Sequence, residues 1–149
     1  MQISLVRDAI ADAARVVQLP TGIGKLTCTG YVPDSVVTPC FFVAEVDVTF
    51  DRTMGRGMDE LSFTCRVLAG RADDRSAQRI LDALLSGAGE ASLKQALEAA
   101  RGAPGQAALG GLADDLRLER VQGYRWYEHQ GSSFVGAELA VKVIGDGST

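Results

Sequence analysis

Phe41-Phe42-Val43-Ala44-Glu45-Val46-Asp47-Val48-Thr49-Phe50 and, a short polar segment later, Leu61-Ser62-Phe63-Thr64-Cys65-Arg66-Val67-Leu68-Ala69 both repeat with a period of two. In the first run Phe42, Ala44, Val46, Val48 and Phe50 alternate with Phe41, Val43, Glu45, Asp47 and Thr49, giving one apolar face and one mixed face. In the second, Leu61, Phe63, Cys65, Val67 and Ala69 alternate with Ser62, Thr64, Arg66 and Leu68. Side chains on an extended backbone point to opposite faces in turn, so each run reads as a strand with one buried face. Between them Asp51-Arg52-Thr53-Met54-Gly55-Arg56-Gly57 is polar and glycine-bearing, which predicts an antiparallel hairpin with a projecting tip.

Upstream, Ile3, Val6, Ile10, Ala13, Ala14 and Val17 recur at steps of three and four, with Arg7, Asp8, Asp12 and Arg15 on the other side. This predicts an amphipathic helix over 3–18 that ends before Leu19-Pro20. Lys25–Tyr31 reads as a short strand, and Val32–Pro39, with a proline near each end, as an irregular connection. Downstream, Asp73 or Asp74 caps a helix carrying Ala77, Ile80, Leu81, Leu84 and Leu85 on one stripe. Ser92 with Gln95 forms a capping-box pattern for a second, shorter helix. Residues 101–113 are small and glycine-rich and read as a mobile connection with room for a single helical turn. Leu116–Glu128 reads as a strand with a bulge or bend near Gly123, and Gln130-Gly131-Ser132 as a turn. In the last strand Val135, Ala137, Leu139, Val141 and Val143 alternate with Gly136, Glu138, Ala140 and Lys142. The order α-β-β-β-α-α-β-β predicts one α+β domain over residues 1–149. Its sheet is mainly antiparallel, with helices packed on one face.

Composition narrows the function. With 46% hydrophobic and 23% charged residues the 149-residue chain belongs with folded globular domains, not disordered ones. No apolar run approaches the roughly 20 residues of a membrane span, and the N-terminus lacks the pattern of a secretory signal. A net charge of −4 argues against a protein that grips nucleic acid by neutralising phosphates. Cys28, Cys40 and Cys65 match no zinc-ligand spacing and read as small buried hydrophobes.

The motifs that suggest chemistry mostly fail on context. Gly22-Ile23-Gly24-Lys25-Leu26-Thr27 has the wrong spacing for a phosphate loop, and it follows a helix where such a loop follows a strand. His129, the sole histidine, reads as a solvated turn residue beside Glu128. Asp114 and Asp115 sit at adjacent strand positions, which point to opposite faces and form no shared ligand shell. Nothing in the chain supplies a positioned nucleophile and base, so the expectation is a protein that is not an enzyme and carries no cofactor or metal.

Two places read as contact surfaces. Arg52 and Arg56 flank Met54 in the hairpin loop, either as an ordinary solvated turn or as a contact loop where arginine forks meet a partner's carboxylates. Trp126 shares a strand face with Tyr124 and is expected in the core; Tyr127 points the opposite way, toward either the core or an interface.

Gly30-Tyr31-Val32-Pro33-Asp34-Ser35-Val36 and, more strongly, Phe50-Asp51-Arg52-Thr53-Met54-Gly55-Arg56-Gly57-Met58-Asp59-Glu60-Leu61 resemble tail terminator proteins of long-tailed phages, in the versions from phages of actinobacteria. The resemblance continues through Gly70-Arg71-Ala72-Asp73-Asp74-Arg75-Ser76, Val121-Gln122-Gly123-Tyr124 and Gly136-Ala137-Glu138, and covers most of the chain. It lies in sequence texture and element order, and the family has no catalytic signature, so no functional residue is carried across. It implies a virion subunit, assembled in the host cytoplasm, that closes into a ring, usually a hexamer, at the head-proximal end of the tail tube. The ring stops polymerisation of the major tube protein and docks to the head–tail connector, while genomic DNA passes through its lumen without specific binding. On this reading Arg52, Met54, Arg56, Asp59 and Glu60 are the candidate subunit or tube contacts, with Tyr127 beside them. Two other readings stand beside it. One is another neck component, a tail-completion or head–tail joining protein. The other is a small enzyme or ligand-binding module, whose sign would be a deep pocket with converging polar groups.

Overall fold

A computed structural model describes residues 2–20, 23–50, 57–71, 73–102 and 106–146. Its elements are α1 (Ile3–Ala14), β1 (Thr27–Thr29), β2 (Cys40–Thr49), β3 (Met58–Arg71), α2 (Arg75–Leu84), α3 (Leu93–Ala99), a single 3-10 turn (Leu109–Gly111), β4 (Asp115–His129) and β5 (Ser132–Asp146). The strands form one five-stranded sheet in the order β1-β2-β3-β5-β4. All neighbours are antiparallel except β1 and β2, which run parallel over Thr27–Thr29. The α+β architecture and the element order are those the sequence predicts.

One face of the sheet carries the main core. Phe41 and Val43 of β2, Leu61 to Ala69 at alternate positions of β3, Leu116 and Leu118 of β4, and Val135 to Val143 at alternate positions of β5 meet Val6, Ile10 and Ala14 of α1, Leu81 and Leu84 of α2, and Leu93 and Leu97 of α3. Burial of these side chains is the dominant stabilising term, at about 1.5–3 kcal/mol for each large one. The caps hold as the sequence suggests: the Asp74 carboxylate accepts from the Ser76 amide at 2.9 Å and the Ser92 hydroxyl from the Gln95 amide at 3.1 Å. Gln95 closes a different loop from the expected box, its Oε1 accepting from the Gly89 amide at 2.9 Å. The β4–β5 hairpin turns on Gln130 and Gly131, both at positive φ (52° and 81°), the two-residue geometry whose twist matches that of paired strands.

The opposite face is only partly covered. At one end Cys40, Phe42, Leu68, Tyr127 and Phe134 make a second, smaller cluster, with Val36 of the 30–39 connection packed over it. The rest of that side, the open face, is polar.

Three expectations need correction. α1 stops at Ala14, four residues early, because Arg15 bonds back to Ala11 and Asp12 and the Gln18 amide then turns to the Glu90 carbonyl at 2.9 Å. β2 does not keep one phase. A bulge between Val43 and Glu45 puts Phe41 and Val43 with Val46 and Val48 on the core side, while Phe42 and Ala44 join Glu45 and Asp47 on the open face. Trp126 is not in the core: it is 67% exposed.

Candidate functional site: a polar sheet face between two unlike edges

The cross-strand registers lay the open face out in rungs. Arg66 lies opposite both Phe42 and Glu138, and Glu138 opposite Gln122. The next rung reads Glu45, Thr64, Ala140, Arg120; the one after it reads Asp47, Ser62, Lys142, Arg117. Residues directly opposite share a face, so these side chains stand together on the uncovered side.

Its centre is knitted by ion pairs. Arg66 reaches Glu138 at 2.9 Å, and Arg125 approaches the same carboxylate at 3.7 Å. The guanidiniums of Arg66 and Arg125 lie over the Tyr127 ring, 4.7 Å and 4.9 Å from its centre, a geometry in which each cation faces the ring's negative π surface. The Tyr127 hydroxyl donates to the Gly123 carbonyl at 2.5 Å, across the bulge that shifts β4 between Gln122 and Arg125. Burial, and then the Glu138 charge, push the phenol above its usual range. Further along, the Lys142 ammonium bridges Glu119 at 2.8 Å and Glu60 at 3.0 Å. Those bonds raise the Lys142 pKa and lower that of Glu119.

The two margins differ. β4 ends the sheet on one side. On its open face stand Arg117, Arg120 and Arg125, all exposed. Of the acids on that strand, Asp115 is held by Arg101 at 2.7 Å and Glu119 by Lys142. Toward the helices the same strand exposes Val121 and Trp126, which lie opposite the core residues Leu139 and Val135, and Tyr124, whose hydroxyl donates to Asp82 of α2 at 2.9 Å. On the other side β1 pairs only with Cys40–Phe42, so among the described residues no strand borders β2 from Val43 to Thr49. That stretch exposes Glu45 and Asp47 on the open face, and Phe50, just beyond it, is 72% exposed.

Of the expected contact residues, Arg52, Met54 and Arg56 lie outside the described residues. Asp59 and Glu60 fall at the start of β3, with Glu60 buried at 7% exposure against Lys142. Tyr127 is 7% exposed, with its ring against the chain's own Arg66 and Arg125. Of the three described residues, Asp59 and Glu60 lie near the Met58 end of β3 and Tyr127 near the β4–β5 turn, so those three do not form one patch. Sequence reasoning missed Glu45, Asp47, Arg117 and Arg120; the signal available was their alternation with apolar residues on strands that end a sheet.

His129 and the three cysteines are taken up in packing. The His129 ring hydrogen-bonds the Pro33 carbonyl at 2.9 Å and packs against Phe42, so it is half-buried and not the solvated turn residue the sequence suggests. All three cysteines are buried and unbridged, and burial pushes Cys28 and Cys65 up to about 12 and Cys40 to about 11. Among the described residues no group of three or more histidine, cysteine or acidic side chains converges on a point that would hold a metal ion. Among them, too, no helix is long and apolar enough to cross a membrane.

Comparison with models of known protein families finds no match, and no curated protein matches the sequence.

Proposed function

We propose that this chain is a virion structural protein, a tail terminator whose copies close into a ring on the head-proximal end of a phage tail tube. In that role it arrests polymerisation of the tube protein and presents its far side to the head–tail connector. The observation that carries the reading is the dissimilarity of the sheet's two margins: an arginine-rich edge with an exposed tryptophan on β4, an acidic edge on β2. A ring built from one subunit needs two different, mutually complementary surfaces, because each copy contacts its two neighbours through unlike patches. The similarity of the Phe50–Leu61 stretch to tail terminators supplies the setting. The open face, where carboxylates and cations largely neutralise one another, suits a surface past which DNA slides without releasing many counterions.

Termination follows from asymmetry: one side of the ring binds the last tube ring, while the other lacks the surface that a further tube subunit would need. Deleting the gene and measuring tails by electron microscopy tests this. Tails of uncontrolled length are expected. Tails of normal, uniform length in the deletion remove the terminator role, and tails of normal length detached from heads point to the head–tail joining alternative.

A further inference from the structure

We infer that neighbouring copies join by edge-to-edge strand pairing, β4 of one copy against the outer side of β2 of the next, with charge selecting this joint over its symmetric rivals. The inference deepens the ring reading and rests on it.

Within one copy the rung that carries Glu45 at the β2 margin carries Arg120 at the β4 margin, and the rung that carries Asp47 carries Arg117. Rotation about an axis along the strands repeats each rung at its own height. It therefore sets Glu45 of one copy against Arg120 of its neighbour, and Asp47 against Arg117. The same operation fixes the strand direction. β2 and β5 run one way and β3 and β4 the other. A β2 arriving beside β4 is therefore antiparallel to it, which continues the pattern of the sheet's main body. The far side of the joint matches as well. Val46 and Val48 on β2 and Leu118 on β4 share the helix side, so apolar meets apolar there while acid meets base on the open face.

The symmetric alternatives fail on charge. In the register centred on these residues, two β4 edges back to back would set Arg117 against the neighbour's Arg120, and two β2 edges would set Glu45 against the neighbour's Asp47; like charges directly opposite in a sheet are destabilising. An edge-paired two-fold dimer in that register is thereby disfavoured. The remaining joint is heterologous, and repeated it closes a ring or propagates a filament. It also satisfies the backbone groups that two bare sheet edges leave unpaired.

The test exploits the polarity. Arg117→Glu/Arg120→Glu makes both edges acidic, and Glu45→Lys/Asp47→Lys makes both basic. All four side chains are exposed, so each variant is expected to fold, checked by circular dichroism; if one does not, the single changes Arg120→Glu and Glu45→Lys replace it. Mass photometry and native mass spectrometry then read the assembly state. Each variant alone is expected to assemble at least about 100-fold more weakly than wild type, and more salt is expected to weaken the wild type too. An equimolar mixture should reassemble with the two variants in 1:1 ratio, because each now finds its complement only in the other. Variants that assemble like wild type, or a mixture that fails to recover, overturn the joint and leave the ring reading standing. A wild-type chain that stays monomeric at every concentration overturns the joint as well, and the tail-length phenotype then judges the ring reading separately.

Discussion

Trp126→Ala separates stability from assembly. As the sole tryptophan, it reads from sequence as a core residue, and removing a buried tryptophan costs about 3–5 kcal/mol. Here 67% of its surface is already exposed. Of the roughly 250 Å² an indole can bury, the covered third is about 80 Å², which at about 25 cal/mol per Å² is about 2 kcal/mol. The unfolded chain is not fully extended and alanine keeps the Cβ in place, so the expected loss is about 1–1.5 kcal/mol. For a chain of this size that is a Tm drop of about 2–6 °C, against about 6–20 °C for a core position. Association should respond differently. Covering the other two thirds against a neighbouring copy would bury about 170 Å², with a ceiling of about 4 kcal/mol, part of it lost to ordering costs. We expect the substitution to weaken assembly by about 30-fold or more. Differential scanning calorimetry gives the first quantity and mass photometry the second. Intrinsic fluorescence adds a check: emission should be red-shifted and readily quenched by iodide in dilute wild-type protein, and protected on assembly. A stability loss above about 3 kcal/mol with unchanged assembly would refute the exposed placement of Trp126 and its burial against a neighbouring copy.

Gly136→Ala should cost about 3 kcal/mol in urea unfolding, because a Cβ there would press on the Val67 carbonyl of the adjoining strand and lie 2.8 Å from Leu68 Cδ2. Gly87→Ala, with open space around it, should change stability by no more than about 0.5 kcal/mol. Native protein should give no reaction with a thiol reagent at pH 8, where thiols held near 11–12 stay protonated and covered, and all three cysteines should react once it is unfolded. Lys142→Met should lower Tm at pH 7 and lose that effect in acid. Glu119, depressed below its ordinary 4.5 by its bond to Lys142, stabilises the fold above that value and stops doing so as pH falls through its folded pKa. Thermal melts of both proteins between pH 7 and pH 2 measure the closing gap.

How much of this was written in the sequence varies by element. β3 and β5 are buried on one face along nearly their whole length, so a strict period of two gives both the strands and their inward residues. Asp74 and Ser92 announce their helices because a side-chain oxygen must meet an amide that the first turn leaves unpaired. β2 misled because Phe41 to Ala44 are all apolar and both faces at that end are covered, which hides the bulge; only Glu45 and Asp47 carry phase information. Trp126 misled too. A tryptophan's size argues for burial, yet Trp126 stays 67% exposed on the helix side of β4, while Tyr127, for which the sequence allows either core or interface, is buried on the open face beside Arg66 and Arg125 and in one cluster with Phe42. The charged margins were legible as residues but not as a site. Pairing Glu45 with Arg120 requires the strand order, in which β5 lies between β3 and β4, and that order is set by tertiary packing.

Growth of tail tubes in vitro from the tube protein of the same genome, with this chain added in increasing amounts and tube lengths scored by electron microscopy, puts capping itself under observation. Mean length should fall as the chain is added, with a collar visible on one tip of each arrested tube. An unchanged length distribution, with the chain left in the supernatant and both tips bare, would contradict the ring as a cap on the tube.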